Sequence, residues 1–219
     1  MAQGTRRSLR VNRTSPDSPG SAPPLTIAAV TAVLRDLLAN GLIRYSNVTR
    51  LDDVQVSVLP PDRITLGSEE PNQLNLFLYR IAPHSSLTRN KFDDAAASGA
   101  RRSSAVDLHY LLTAYGAQDF HSEILLGCAM HLLNQVPQLT SERVKEILEA
   151  PAARGARASA SPVRAALGSS DVSSSFDRLR VIQHFLPFDD MSKLWSTLQT
   201  RYRPSVTYEV SAVPLSLEG

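Results

Sequence analysis

Asp107 and His109 are the two side chains whose types and spacing could support acid–base chemistry. They flank Leu108 in a segment whose apolar residues alternate as in a β-strand. Residues at i and i+2 of a strand share one face, so the carboxylate would lie beside the imidazole. Pairs of this kind also arise often by chance, and a structural or interface role is the preferred interpretation. The alternative is a soluble hydrolase or small-ligand-binding protein that uses Asp107 and His109.

The remaining reactive side chains predict packing or solvation rather than a site. His121 and His131 lie on one predicted helix, but their separation corresponds to about 15 Å of helical rise, too far for shared metal coordination. Cys128, the single cysteine, falls in an apolar helical stripe, where a buried thiol is usually inert. The sequence also lacks a Gly-x-Ser-x-Gly elbow, a phosphate-binding loop and a dinucleotide fingerprint. We therefore expect no catalytic, cofactor-binding or metal-binding residues.

The elements that would carry these residues follow from the spacing of apolar side chains. A first helix is predicted from Thr26, its N-cap, to Asn40 and Gly41, where a glycine can end a helix. Strands are predicted over residues 54–58, 73–80, 106–115, 179–185 and 205–213, and apolar helical stripes over 124–132, 144–148 and 189–198. This order favours a single α/β (α+β) domain in which helices cover a mixed β-sheet.

Charge and composition separate a folded body from appendages. Residues 1–24 contain four arginines and one acidic residue, with prolines, serines and glycines but no apolar periodicity, which predicts a flexible tail. The rest of the chain has 19 basic and 20 acidic residues, so the domain predicted over 25–215 and the short end at 216–219 are together near neutral. Inserted loops are predicted at residues 91–104 and at the Ala-, Ser- and Arg-rich residues 151–175.

Partners and location are constrained by the same features. Since the body is not basic, nucleic acid is not an expected partner, and binding through the tail arginines is the alternative. Arg6 and Arg7 resemble a twin-arginine export signal, but the apolar run that follows has no cleavage site and shows helical periodicity. We expect no membrane span and a soluble protein in a reducing compartment.

Five segments resemble a known family in the same order along the chain. They are IAAVTAVL at residues 27–34, NLFLYR at 75–80, DLHYLLTAYG at 107–116, MSKLWS at 191–196 and YRPSVTYEV at 202–210. Together they resemble the terminator or cap proteins of extracellular contractile injection systems, the phage-tail-like particles that include the antifeeding prophage. The resemblance extends over about residues 25–215, and longer family members carry an additional C-terminal domain.

The resemblance implies a structural protein and not an enzyme. Family members form a hexameric ring at the end of the inner tube and sheath distal to the baseplate, where they stop polymerisation and hold the sheath end. It implies a bacterial protein that assembles in the cytoplasm into a particle that can be released. Its partners would be its own copies and the sheath and inner tube proteins.

An interface is predicted around the last strand. An open sheet edge can accept a strand from a partner, and residues 205–213 are the candidate edge. The candidate interface residues near it have types that are common in protein interfaces or could pair with a charged partner; they are Arg201, Tyr202, Arg203, Tyr208 and Glu209. Packing and solvation within one subunit are an equally good account of these side chains.

Overall fold

The structure, a computed structural model, describes residues 25–51, 53–64, 70–84, 104–149, 167 and 178–215. In chain order its elements are α1 (Leu25–Thr49), β1 (Gln55–Ser57), a 3-10 turn (Pro61–Arg63), β2 (Gln73–Pro83), β3 (Ser104–Tyr115), α2 (His121–Asn134), β4 (Gln138–Thr140), α3 (Ser141–Glu149), β5 (Arg178–His184), α4 (Phe188–Thr197) and β6 (Ser205–Leu215). The predicted class, one α+β domain with a mixed sheet, is confirmed. The short strand β4 was not predicted, because three residues carry too little periodicity.

The six strands form one sheet in the order β1-β2-β3-β6-β5-β4. β1 pairs with β2 in parallel, whereas the other four pairings are antiparallel. The prediction that residues 205–213 form an edge strand is wrong, because β6 lies between β3 and β5 and is hydrogen-bonded on both sides. The edges are instead β1 and β4, of three residues each, and short edges limit unwanted pairing.

One sheet face carries the main core, under α1, α2 and α3. Alternation places apolar residues of each long strand on this face, among them Leu74, Leu108, Tyr110 and Val210, all fully or almost fully buried. The Tyr110 hydroxyl lies 2.8 Å from Thr31 Oγ1 of α1, so this large buried side chain keeps a polar partner. Burial raises the pKa of this phenol far above its usual range.

α1 is longer than predicted and does not end at Gly41. It continues to Thr49, and Thr26 lies inside it rather than capping it. A Cβ placed on Gly41 would lie 2.4 Å from both Cδ atoms of Leu132 in α2. The glycine is therefore required because the two helices approach closely there, and not because a helix ends.

α1 also meets the length and hydropathy expected of a membrane-crossing helix, with a mean hydropathy of 1.5 over its most apolar window. The expectation that no segment approaches a membrane span is wrong on those two criteria. Within the structure, 61% of that window is buried. An apolar helix that packs on a sheet and on two other helices has the same composition as a membrane span.

The opposite sheet face is covered by α4 over a small second core. Met191 and Trp195, one helical turn apart, pack on Leu111 of β3. Asp189 and Asp190 lie in the first turn of α4, where carboxylates compensate the helix dipole. α4 crosses this face near Leu111. It leaves Arg80, near the C-terminal end of β2, exposed.

The two inserted loops fall almost entirely outside the described residues, as does the tail at 1–24. Of the segment 151–175, Leu167 alone is described, and it is 3% exposed within the main core. The expectation that this segment contains little that could pack is therefore wrong at Leu167.

Candidate assembly interface

Three aromatic side chains form a cluster at α4, here called the aromatic cluster: Phe188, Trp195 and Tyr202. The Tyr202 ring lies 5.9 Å from that of Trp195 and 6.3 Å from that of Phe188. Trp195 is 2% exposed, whereas Phe188 and Tyr202 are 71% and 52% exposed. Edge-to-face packing on the buried indole restricts the Tyr202 ring, and Phe188 packs against Tyr202 in turn. Rigid exposed aromatics are typical anchors of protein interfaces.

Arg201 and Arg203 flank Tyr202 but differ in their surroundings. Arg201 is exposed. Arg203 donates two hydrogen bonds to Glu70, at 2.5 and 3.0 Å, and its guanidinium carbon lies 4.6 Å from the centre of the Tyr115 ring. Both oxygens of one carboxylate and one aromatic face thus engage Arg203 within its own subunit.

Tyr208 and Glu209 point to opposite sides of β6. Tyr208 is 1% exposed in the main core, and its hydroxyl has no hydrogen-bond partner there. Burial raises the pKa of this phenol to about 12. The five predicted interface residues therefore do not form one surface: the sheet separates Tyr208 from Glu209, Arg203 is engaged internally, and Arg201 and Tyr202 remain exposed.

Glu209 lies between two histidines on the second sheet face. Its Oε2 atom is 3.8 Å from Nδ1 of His109 on β3 and 3.8 Å from Nδ1 of His184 on β5. The two imidazole rings are 5.5 Å apart, edge to face. Burial lowers the pKa of His109, as do the nearby Arg80 and His184, while Glu209 and Asp107 act in the opposite direction.

The Asp107 carboxylate contacts His84 and the backbone of β6 rather than His109. Its Oδ1 atom lies 2.7 Å from Nδ1 of His84 and accepts a hydrogen bond from the backbone N–H of Ala212, at 3.0 Å. Ala212 has a φ of 62° and occupies the irregularity where the β3–β6 register shifts. Among the residues that the structure describes, Nδ1 of His109 has no hydrogen-bond partner. The Asp107 carboxylate thus accepts a hydrogen bond from the backbone of a β-bulge. This position does not support the hydrolase alternative, in which Asp107 and His109 act together.

The remaining candidate residues have structural surroundings. His121 Nδ1 lies 2.9 Å from Oδ1 of Asn72, and His131 Nε2 lies 2.8 Å from the Gln135 amide nitrogen. Cys128 is half-buried beside the main core, and burial raises the pKa of its thiol. The described residues contain no group of three metal-binding side chains.

Sequence reasoning missed two features of the surface. Phe188 and Phe185 are 71% and 83% exposed, and the signal that could have indicated them is their position around Pro187, at the start of α4. Arg80, Arg178 and Arg180 share one sheet face in three-dimensional space. The sequence does not indicate that β2 and β5 share this surface, because β3 and β6 separate them in the sheet.

Fold and site together define a structural α+β domain with an exposed aromatic surface, whose candidate reactive side chains are engaged in packing and bulge formation. Residues 29–218 match the family model described as the Pvc16 N-terminal domain. The chain therefore belongs to this family, and the resemblance to terminator or cap proteins of contractile injection systems is confirmed. No curated protein matches the chain.

Two solved structures are similar to this fold. The sheath/tube terminator of an extracellular contractile injection system, PVC, in its extended state, has a TM-score of 0.50 at 15% identity, over 88% of this chain and 57% of that one. The tube-terminating cap of the anti-feeding prophage has a TM-score of 0.42 at 16% identity, over 81% of this chain and 55% of that one. This chain thus spans a little over half the length of either protein.

Proposed function

We propose that the protein caps the baseplate-distal end of a contractile injection particle, where it ends the growth of tube and sheath and anchors the sheath end. The observation that carries the proposal is membership of the Pvc16 N-terminal domain family over residues 29–218. A fold similar to that of a sheath/tube terminator, over 88% of the chain, supports it. Assembly takes place in the bacterial cytoplasm, where the particle is built.

The cap is a ring of six copies. A closed ring needs a surface on each copy that binds a different surface on the next. The exposed part of the aromatic cluster, Phe188 and Tyr202, together with Arg201, supplies one of these surfaces. Exposed aromatics and arginine are enriched in protein interfaces, and the packing of Tyr202 on the buried Trp195 lowers the entropy lost on binding.

A sheath protein binds along the parts of the sheet edge that the short strands β1 and β4 do not cover. β1 pairs only with residues 73–75 of β2. Among the residues described, the rest of β2 has β3 as its single strand partner. An extended segment of a sheath protein can pair with this backbone by strand addition. This edge replaces β6, which is central in the sheet.

Ring formation is tested with the full-length protein by analytical ultracentrifugation and negative-stain microscopy. We expect a discrete ring for the wild type and a monomer for the double variant Phe188→Ser/Tyr202→Ser. Phe120→Ser is the matched control, because Phe120 is 74% exposed and lies at the start of α2, away from the aromatic cluster. A wild type that stays monomeric at high concentration and does not cosediment with tube or sheath particles would overturn the proposal.

Termination is tested in cells that carry the particle genes. Removal of this protein is expected to yield particles with a broad distribution of lengths, or particles that lose their sheath during purification. Complementation with wild type restores a single length, whereas Phe188→Ser/Tyr202→Ser does not. Particles of normal length and an intact sheath in the deletion strain would contradict a terminating role.

A further inference from the structure

The second sheet face carries a cross-strand row of charged and imidazole side chains. In the strand register Arg80 of β2 is opposite His109, His109 is opposite Glu209, and Glu209 is opposite Ile182 of β5. Directly paired residues point to the same side of a sheet. Alternation along β5 adds Arg178 and Arg180 to this side. Arg80, Arg178, Arg180 and Ile182 are named here the arginine face.

The arginine face is accessible. All three arginines are exposed, and Ile182, two residues beyond Arg180 on β5, is 38% exposed. α4 packs on Leu111, two residues along β3 from His109. The helix leaves the side chains of the arginine face exposed. A row from β2 to β5 spans three strand spacings, or about 14 Å.

Within the described part of the chain no ion pair involves Arg80, Arg178 or Arg180, whereas the two carboxylates among them are engaged. Asp107 contacts His84 and the Ala212 N–H, and Glu209 lies between His109 and His184. The net cationic character of the arginine face is therefore available to a partner.

From this arrangement we infer that the arginine face docks an acidic, extended polypeptide segment of another protein. Its carboxylates pair with Arg178 and Arg180, and an apolar side chain at the next position on the same face packs on Ile182. Arg80, in the row of Ile182 across the sheet, adds to the positive charge. Side chains on one face of an extended segment repeat at about 7 Å, which matches the spacing of Arg178 and Arg180 along β5. A phosphate backbone carries a negative charge at every unit, and some of these charges would approach the carboxylates of Asp107 and Glu209. A polypeptide can place its carboxylates beside the arginines alone, so it fits this face better than nucleic acid. The inference depends on the geometry of the sheet face and not on the cap function.

The test uses the full-length protein and a fluorescein-labelled decapeptide, followed by fluorescence anisotropy. Alternate residues of this Glu-Val peptide are Glu, Glu, Val, Glu and Glu, with Ser between them, so that an extended peptide presents its carboxylates and the valine on one face. We expect saturable binding that weakens as NaCl rises. Arg178→Gln/Arg180→Gln is expected to weaken it about tenfold, the combined effect of two exposed ion pairs. Arg180→Gln alone is a second variant in case the first is poorly folded. Arg44→Gln, an exposed arginine of α1 on the other side of the sheet, is the matched control and should bind like the wild type.

Four outcomes would overturn the inference. One is no binding of the Glu-Val peptide. A second is binding that all variants retain, which would place it elsewhere on the chain. A third is an equal loss with Arg44→Gln. The last is equally tight binding of a decathymidylate that is lost with the same substitutions, which would indicate a nucleic-acid surface. None of these outcomes affects ring formation, so failure of this inference is distinguishable from failure of the cap function.

Discussion

Arg203 and Glu70 form a two-point ion pair across 133 residues of sequence, with N–O distances of 2.5 and 3.0 Å. The Arg203 guanidinium also stacks on Tyr115, at the end of β3. The segment between α4 and β6 is thereby fixed to the start of β2. This arginine, which the sequence suggested for a partner contact, is thus engaged within its own subunit.

Replacing Arg203 by Lys is expected to lower the free energy of unfolding by about 1–2 kcal/mol, because an ammonium cannot bind both oxygens or stack as guanidinium does. Urea denaturation measures the change. Arg201→Lys is the control and should be neutral, since Arg201 is exposed. Equal stability of the two variants would show that the ion pair contributes nothing.

Replacing Gly41 by Ala is expected to cost about 1–3 kcal/mol through overpacking, because the new Cβ would collide with Leu132. Gly127→Ala is the matched control, since nothing lies within 4 Å of its added Cβ. That control should gain about 0.5–1 kcal/mol, as expected for Gly to Ala within a helix.

The Leu132→Ala background separates overpacking from other causes. There, Gly41→Ala should cost nothing, because the side chain that it would collide with is gone. A cost of the same size in both backgrounds would contradict the close approach of α1 and α2.

Stability is expected to fall as the pH decreases from 7.5 towards 5.5. The pKa of His109 is lower in the folded protein than in the unfolded chain, chiefly because of burial. The unfolded state therefore binds more protons below the unfolded pKa of about 6.5, and acid favours unfolding. Urea denaturation across this range measures the slope.

The variant His109→Gln should show a smaller pH dependence than the wild type. Glu209→Gln should show a larger one, because Glu209 opposes the lowering of the His109 pKa. Identical slopes for the wild type and His109→Gln would exclude His109 as the group responsible.

Replacing Ala212 by Gly is expected to stabilise the protein by about 1 kcal/mol, since a φ of 62° is costly for a residue with a Cβ. Ala114→Gly is the comparison, a buried alanine in β3 that should lose stability because glycine weakens strands. Thermal unfolding distinguishes the two. Destabilisation by Ala212→Gly would contradict the bulge conformation at Ala212.

The bulge also accounts for Asp107, and Asp107→Ala is expected to cost about 1–3 kcal/mol. The substitution leaves the Ala212 N–H without its acceptor and removes the partner of His84. Urea denaturation measures the loss. Unchanged stability would contradict a stabilising role for the Asp107 carboxylate.

Local patterns in the sequence predicted most of the elements correctly. Alternation along β3 placed Leu108, Tyr110 and Leu112 on one face, and all three are buried in the main core. Thr140, whose residue type favours helix N-caps, directly precedes α3, and its Oγ1 accepts a hydrogen bond from the Arg143 N–H at 3.3 Å. Such features depend on neighbours within a few residues, so the sequence alone can predict them.

By itself, the sequence determined the α+β class, the main elements and the family. Only the tertiary structure decided that β6 is central, that α1 continues through Gly41, and that Arg203 binds Glu70. The physical reason is that strand order and close helix packing depend on pairings between residues far apart in the chain. The spacing of apolar residues within one element carries no information about which distant element becomes its neighbour.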